Sequence, residues 1–86
     1  MKWEVRLAAS AERDMRRLSL EVRRRVDAAI LQLEDGPSPT GRRKLSGGEG
    51  LYRVRVGDYR ILYGIDTEGH FVDIVHVRHR REAYRR

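Results

Sequence analysis

There is no cysteine in this sequence. That excludes disulfides and thiolate zinc sites, and it suits a reducing compartment. Proline is confined to Pro37 and Pro39, so little punctuates the chain outside one short stretch. No apolar run approaches the roughly 20 residues of a membrane span. Met1-Lys2-Trp3-Glu4 leads straight into a strand pattern without an apolar signal region. These absences predict a cytoplasmic protein with no membrane association. At 86 residues the chain reads as a single domain, 1–86, near the size at which one core only just suffices.

Charge is abundant. Basic residues number 19 against 13 acidic, a formal +6, and apart from Lys2 and Lys44 the basic residues are all arginine. Guanidinium matches phosphate bidentately and stacks on flat rings, which favours RNA or an acidic protein segment as partner. A high-GC codon bias also raises arginine, so composition alone leaves both explanations open. An apolar fraction of 40% with clear periodicity argues against disorder.

The central stretch is Leu51 to Ile65, two runs of β-branched and aromatic residues around Gly57-Asp58. A two-residue connection of this kind predicts a tight hairpin, type II′ with Gly57 first. The register then follows, pairing Val56 with Tyr59, Arg55 with Arg60, Val54 with Ile61, Arg53 with Leu62 and Tyr52 with Tyr63. Directly opposed residues share a face. One face is apolar: Tyr52, Val54, Val56, Tyr59, Ile61 and Tyr63. The other carries Arg53, Arg55 and Arg60 beside Leu62. Opposed like charges destabilise a sheet, so this face either meets a polyanionic partner or is a solvated surface whose arginine stems cover apolar groups.

Around the hairpin, Trp3, Val5 and Leu7 alternate as a first strand. Ser10 is the expected N-cap of a short helix carrying Ala11, Met15 and Leu18, and Ser19 caps a second that runs to about Glu34 before Gly36-Pro37. The Arg23-Arg24-Arg25 run is open to a role in docking RNA. Gly36 to Gly50 is the loop-like region and carries Arg42, Arg43 and Lys44. Its Gly47-Gly48-Glu49-Gly50 lacks the ending of a phosphate-binding loop and opens no helix, which excludes nucleotide binding of that type. Phe71 to Val77 forms a last, largely apolar strand. The order is β-α-α-β-β-β, an α+β two-layer fold with a helical hairpin on one face of a sheet whose neighbouring pairs are all expected to be antiparallel.

Lys44-Leu45-Ser46-Gly47, then Tyr52-Arg53-Val54-Arg55-Val56-Gly57-Asp58-Tyr59-Arg60, then Val77-Arg78-His79-Arg80-Arg81-Glu82-Ala83-Tyr84 together resemble the RelE/ParE superfamily of bacterial toxins, and the spacing at the end leans towards RelE. The resemblance implies a ribosome-dependent messenger-RNA endonuclease needing no metal or other cofactor. It also implies that the first strand lies beside the last. By position, Arg60 would hold the scissile phosphate, and Arg80 would stabilise the transition state or protonate the leaving 5′-oxygen. Tyr84 would stack on or position a base. Arg53 and Arg55, with Arg43 and Lys44 from the loop, would bind the substrate backbone.

Relatives commonly have lysines where Arg53 and Arg55 stand, one of them proposed as the base. Arginine stays protonated, so the base is open. His79 is the nearest candidate by side-chain type, with Tyr84 the other; His70 and His76 read as structural. Three histidines without paired carboxylates at ligand spacing do not suggest a metal site. The implied partners are a cognate antitoxin with an acidic segment, forming a hetero-oligomer, and messenger RNA in the ribosomal A site with its ribosomal RNA. Two other functions use the same features: a ParE-like poison of DNA gyrase without nuclease activity, and a non-toxic binding module.

Overall fold

The computed structural model describes residues 2–36, 43–44, 51–79 and 81. Arg80 and Tyr84, and the loop cation Arg42, lie outside them. The elements in order are β1 (Glu4–Leu7), α1 (Ala9–Arg16), α2 (Leu20–Asp35), β2 (Arg43–Lys44), β3 (Leu51–Val56), β4 (Tyr59–Asp66) and β5 (Phe71–His79). They form a sheet in the order β1-β5-β4-β3-β2, with both helices on one face. The α+β two-layer reading holds, with the two-residue β2 added at the edge.

The β3–β4 hairpin has the expected register, from Val56 opposite Tyr59 to Tyr52 opposite Tyr63. Gly57 takes a positive φ of 60°, whereas Asp58 does not, the pattern of a type II′ turn. The apolar face builds the core. Ile61 and Tyr63 from β4, Val72, Ile74 and Val77 from β5, and Ala11, Met15, Val26, Ile30 and Leu33 from the helices form one buried cluster. Tyr52, Val54, Val56, Val5 and Leu7 pack around it.

The pairing of β1 with β5 is parallel, which corrects the all-antiparallel expectation. The reason lies in α1. Ala8 N–H donates to the Ile74 carbonyl, Ser10 Oγ to that of Val75 at 2.6 Å, and Asp14 Oδ2 accepts from Val77 N–H at 3.0 Å. These anchors advance together along the two segments, so α1 runs on in the direction of β5 and of β1. Only α2 returns, ending where the Glu34 carbonyl accepts from Trp3 N–H at 2.8 Å. One return pass, not two, brings the chain back to the end at which β1 begins.

The same anchors correct the cap of α1. The helix starts at Ala9 with Ala8 in the cap position and no side-chain cap. Ser10 is instead turned towards β5, because β1 stops opposite Ile74 and leaves the edge beyond it bare. Helix side chains cover that edge, which would otherwise be open to pairing with another strand. Ser19 caps α2 as expected, its hydroxyl accepting from Val22 N–H. His70, at φ 64°, stacks on Trp3 with ring centroids 3.9 Å apart, in keeping with a structural role. No helix among the described residues is long and apolar enough to cross a membrane.

Candidate active site

Among the described residues, no helix covers the other face of the sheet. On it, Arg55 of β3 stands opposite Arg60 of β4, and Arg60 opposite Arg78 of β5. Three adjacent strands thus place three arginines in one row. The next row runs Arg53, Leu62, His76, and at the edge Arg43 stands opposite Arg53 and Lys44 opposite Tyr52. Leu62 is buried, as expected if arginine stems flank it.

The three arginines of the row differ in setting. Arg60 retains 9% exposure, Arg78 is half-buried and Arg55 is exposed. Arg55 Nε donates to the Gly57 carbonyl at 3.3 Å, which draws its head towards the turn and eases the repulsion from Arg60. Arg78 Nη2 lies 3.2 Å from His76 Nε2. A central guanidinium with its stem packed and two flanking guanidiniums matches a phosphate held by several charge-assisted bonds.

Arg78 was missed by sequence reasoning, and the cause is a bulge. Tyr63 pairs with Ile74 but Leu62 with His76, so Val75 is an extra residue and the alternation reverses after it. Without the bulge, Arg78 would fall on the core face with Val72 and Ile74. The readable signal is spacing: Val72 and Ile74 are two apart, but the next buried residue, Val77, follows by three.

His79 goes the other way. It stands opposite Tyr59 on the helix side, meeting that ring edge-on at 5.3 Å. There it lines a cavity of about 330 Å³ with Asp14, Arg17, Leu18, Tyr59 and Val77, and its Nδ1 accepts from Arg81 N–H at 3.3 Å. The structure therefore brings Arg53, Arg55, Arg60 and Arg78 to one face and puts His79 on the opposite one. On the outer helix surface, Arg23 Nη2 donates to the Met15 carbonyl at the end of α1, and Arg25 pairs with Glu21. Two of the three residues of the Arg23-Arg24-Arg25 run thus have structural partners.

Residues 5–84 match the family described as ParE toxin of type II toxin–antitoxin system, parDE. The chain belongs to this family. It is 34% identical over 84 residues to Toxin RelE of Mycobacterium tuberculosis, covering 96% of this chain and 87% of that protein. It is 37% identical over 94 residues to Toxin RelG of the same organism, covering both in full. An archaeal RelE–RelB complex from Pyrococcus horikoshii superposes with a TM-score of 0.79 at 27% identity, covering 93% of this chain and 97% of that one. The toxin–antitoxin complex RelBE2 of M. tuberculosis superposes at 0.67 with 32% identity, covering 92% and 99%. Within the RelE/ParE superfamily the chain is a RelE-type toxin of a type II toxin–antitoxin system.

Proposed function

We propose that this toxin is a metal-independent endoribonuclease that cuts messenger RNA in the ribosomal A site and so inhibits translation in the cytoplasm. The observation that carries the reading is the row Arg55–Arg60–Arg78 across three strands. Cleavage joins the ribose 2′-oxygen to the adjacent phosphorus and expels the 5′-oxygen, so charge accumulates on the phosphoryl oxygens in the transition state. Fixed guanidiniums facing those oxygens stabilise that charge without reorganising. Arg60 holds the scissile phosphate, with Arg78 and Arg55 on either side. Arg53 and Arg43 extend the cationic track along the RNA backbone and ribosomal RNA, whereas Lys44, opposite Tyr52, falls in register with the core face and is dropped from it. Arg80 is assigned to the leaving 5′-oxygen and Tyr84 to stacking on a base.

Guanidinium has no lone pair for the 2′-proton, and His79 faces away from the row. Its bond to Arg81 suits it to fixing the chain that leads to Tyr84, and Tyr84 or a ribosomal group is left as the acceptor. The inhibitory partner is a cognate antitoxin whose acidic segment lies on the arginine face in a hetero-oligomer. The RelE–RelB complexes among the relatives support that partnership.

The decisive experiment maps cellular RNA ends after induced expression. New ends inside translated codons, absent when translation is blocked beforehand, are the expected result. Toxicity with intact RNA and trapped gyrase–DNA complexes would replace this reading with gyrase poisoning.

A further inference from the structure

We propose that Asp14 and His76 are positioning residues that hold the Arg78 guanidinium in the arginine row. The inference rests on reading that row as the phosphate site, and it adds two residues to which the sequence assigned no part in function.

Asp14 is on α1, its side chain only 16% exposed, and His76 is on β5 at 25%. Asp14 Oδ2 receives Val77 N–H at 3.0 Å and lies 3.1 Å from His76 Nδ1. On the far side of the ring, His76 Nε2 is 3.2 Å from Arg78 Nη2. The donors and acceptors permit one arrangement of protons. A guanidinium only donates, so Nε2 presents its lone pair; a carboxylate only accepts, so Nδ1 carries the hydrogen. The imidazole thereby links a helix carboxylate to an arginine on the open face of the sheet.

The link answers a specific difficulty of the row. Arg78 stands opposite Arg60, and two opposed guanidiniums repel. A long, flexible side chain in that position would swing out to solvent unless something held it. His76 Nε2 accepts from its terminal Nη2, and Asp14 fixes the ring that does so, as a supporting shell fixes a reacting group in advance. The Val75 bulge is part of the device, because it turns His76 and Arg78 together from the core face to the arginine face, at the edge that α1 reaches.

The test uses the full-length toxin and two variants, His76→Ala and His76→Gln. Glutamine offers one donor and one acceptor but does not titrate near neutrality, so it can replace a relay and cannot replace a proton acceptor. In the free toxin, nitrogen NMR should show His76 with hydrogen on Nδ1 and Arg78 with slowed guanidinium rotation. The Arg78 signature should vanish in His76→Ala and persist in His76→Gln.

On programmed ribosomes in single turnover, His76→Ala should slow cleavage about tenfold or more at saturation, with ribosome binding little changed. His76→Gln should recover most of the rate with the wild-type pH profile. Freely rotating Arg78 in the wild type, or a His76→Ala variant of full activity, overturns the proposal. So does a His76→Gln variant as slow as alanine that has lost a limb of the pH profile, since His76 would then be moving a proton. A wild type that cuts no RNA defeats the nuclease reading, and the NMR signatures alone then decide the positioning claim.

Discussion

Arg60 carries the sharpest separation between folding and function. It is buried and stands in register between Arg55 and Arg78, so an unbranched apolar side chain of similar length should keep the packing of its stem. Arg60→Met is expected to remain folded with a melting temperature within a few degrees of the wild type, because the packed volume is kept. Cleavage on ribosomes should fall by about a hundredfold or more, as when a transition-state donor is deleted. Arg60→Lys should fall between the two, retaining charge without the bidentate fork. A methionine variant that unfolds would make Arg60 a structural residue. At the same scale, Ser10→Ala should cost about 1–2 kcal/mol by chemical denaturation, since the bulge carbonyl of Val75 loses its donor. An unchanged midpoint would mean that water replaces the hydroxyl.

Among the elements, the β3–β4 hairpin is fully legible in the sequence. Strands have a strict period of two and the Gly57-Asp58 turn leaves no slack, so one assignment fixed five pairs and both faces. The cap at Ser19 was equally local. What could not be read depends on contacts between distant segments. Ser10 has the chemistry of a cap, yet a bare strand edge claims its hydroxyl, and that edge exists only because β1 is short. The direction of α1, and with it the parallel β1–β5 pairing, follows from those same contacts. The bulge at Val75 put Arg78 on the arginine face and His79 on the helix side, the reverse of what unbroken alternation gives.

At the level of the whole molecule, a formal +6 domain with an arginine-rich open face should be steadied by anything that brings opposite charge to that face. The cognate antitoxin, expected to contribute an acidic segment that orders on binding, should raise the melting temperature in proportion to the logarithm of its concentration. Added salt should weaken the complex, because part of its affinity comes from exposed charges. A melt unmoved by the antitoxin would show that it does not bind the folded toxin.

The parallel pairing of the first and last strands also sets when the toxin can become active. β1 leaves the ribosome early, but its hydrogen-bonding neighbour is β5, which carries Arg78. Translation proceeds at about 5–20 residues per second, so seconds pass between the two. Until β5 inserts between β1 and β4, the sheet lacks its central member and the arginine row lacks one side. A ribosome making this protein is therefore exposed only to an unassembled site until β5 has been made. Chains that terminate before β5 should be harmless without any inhibitor.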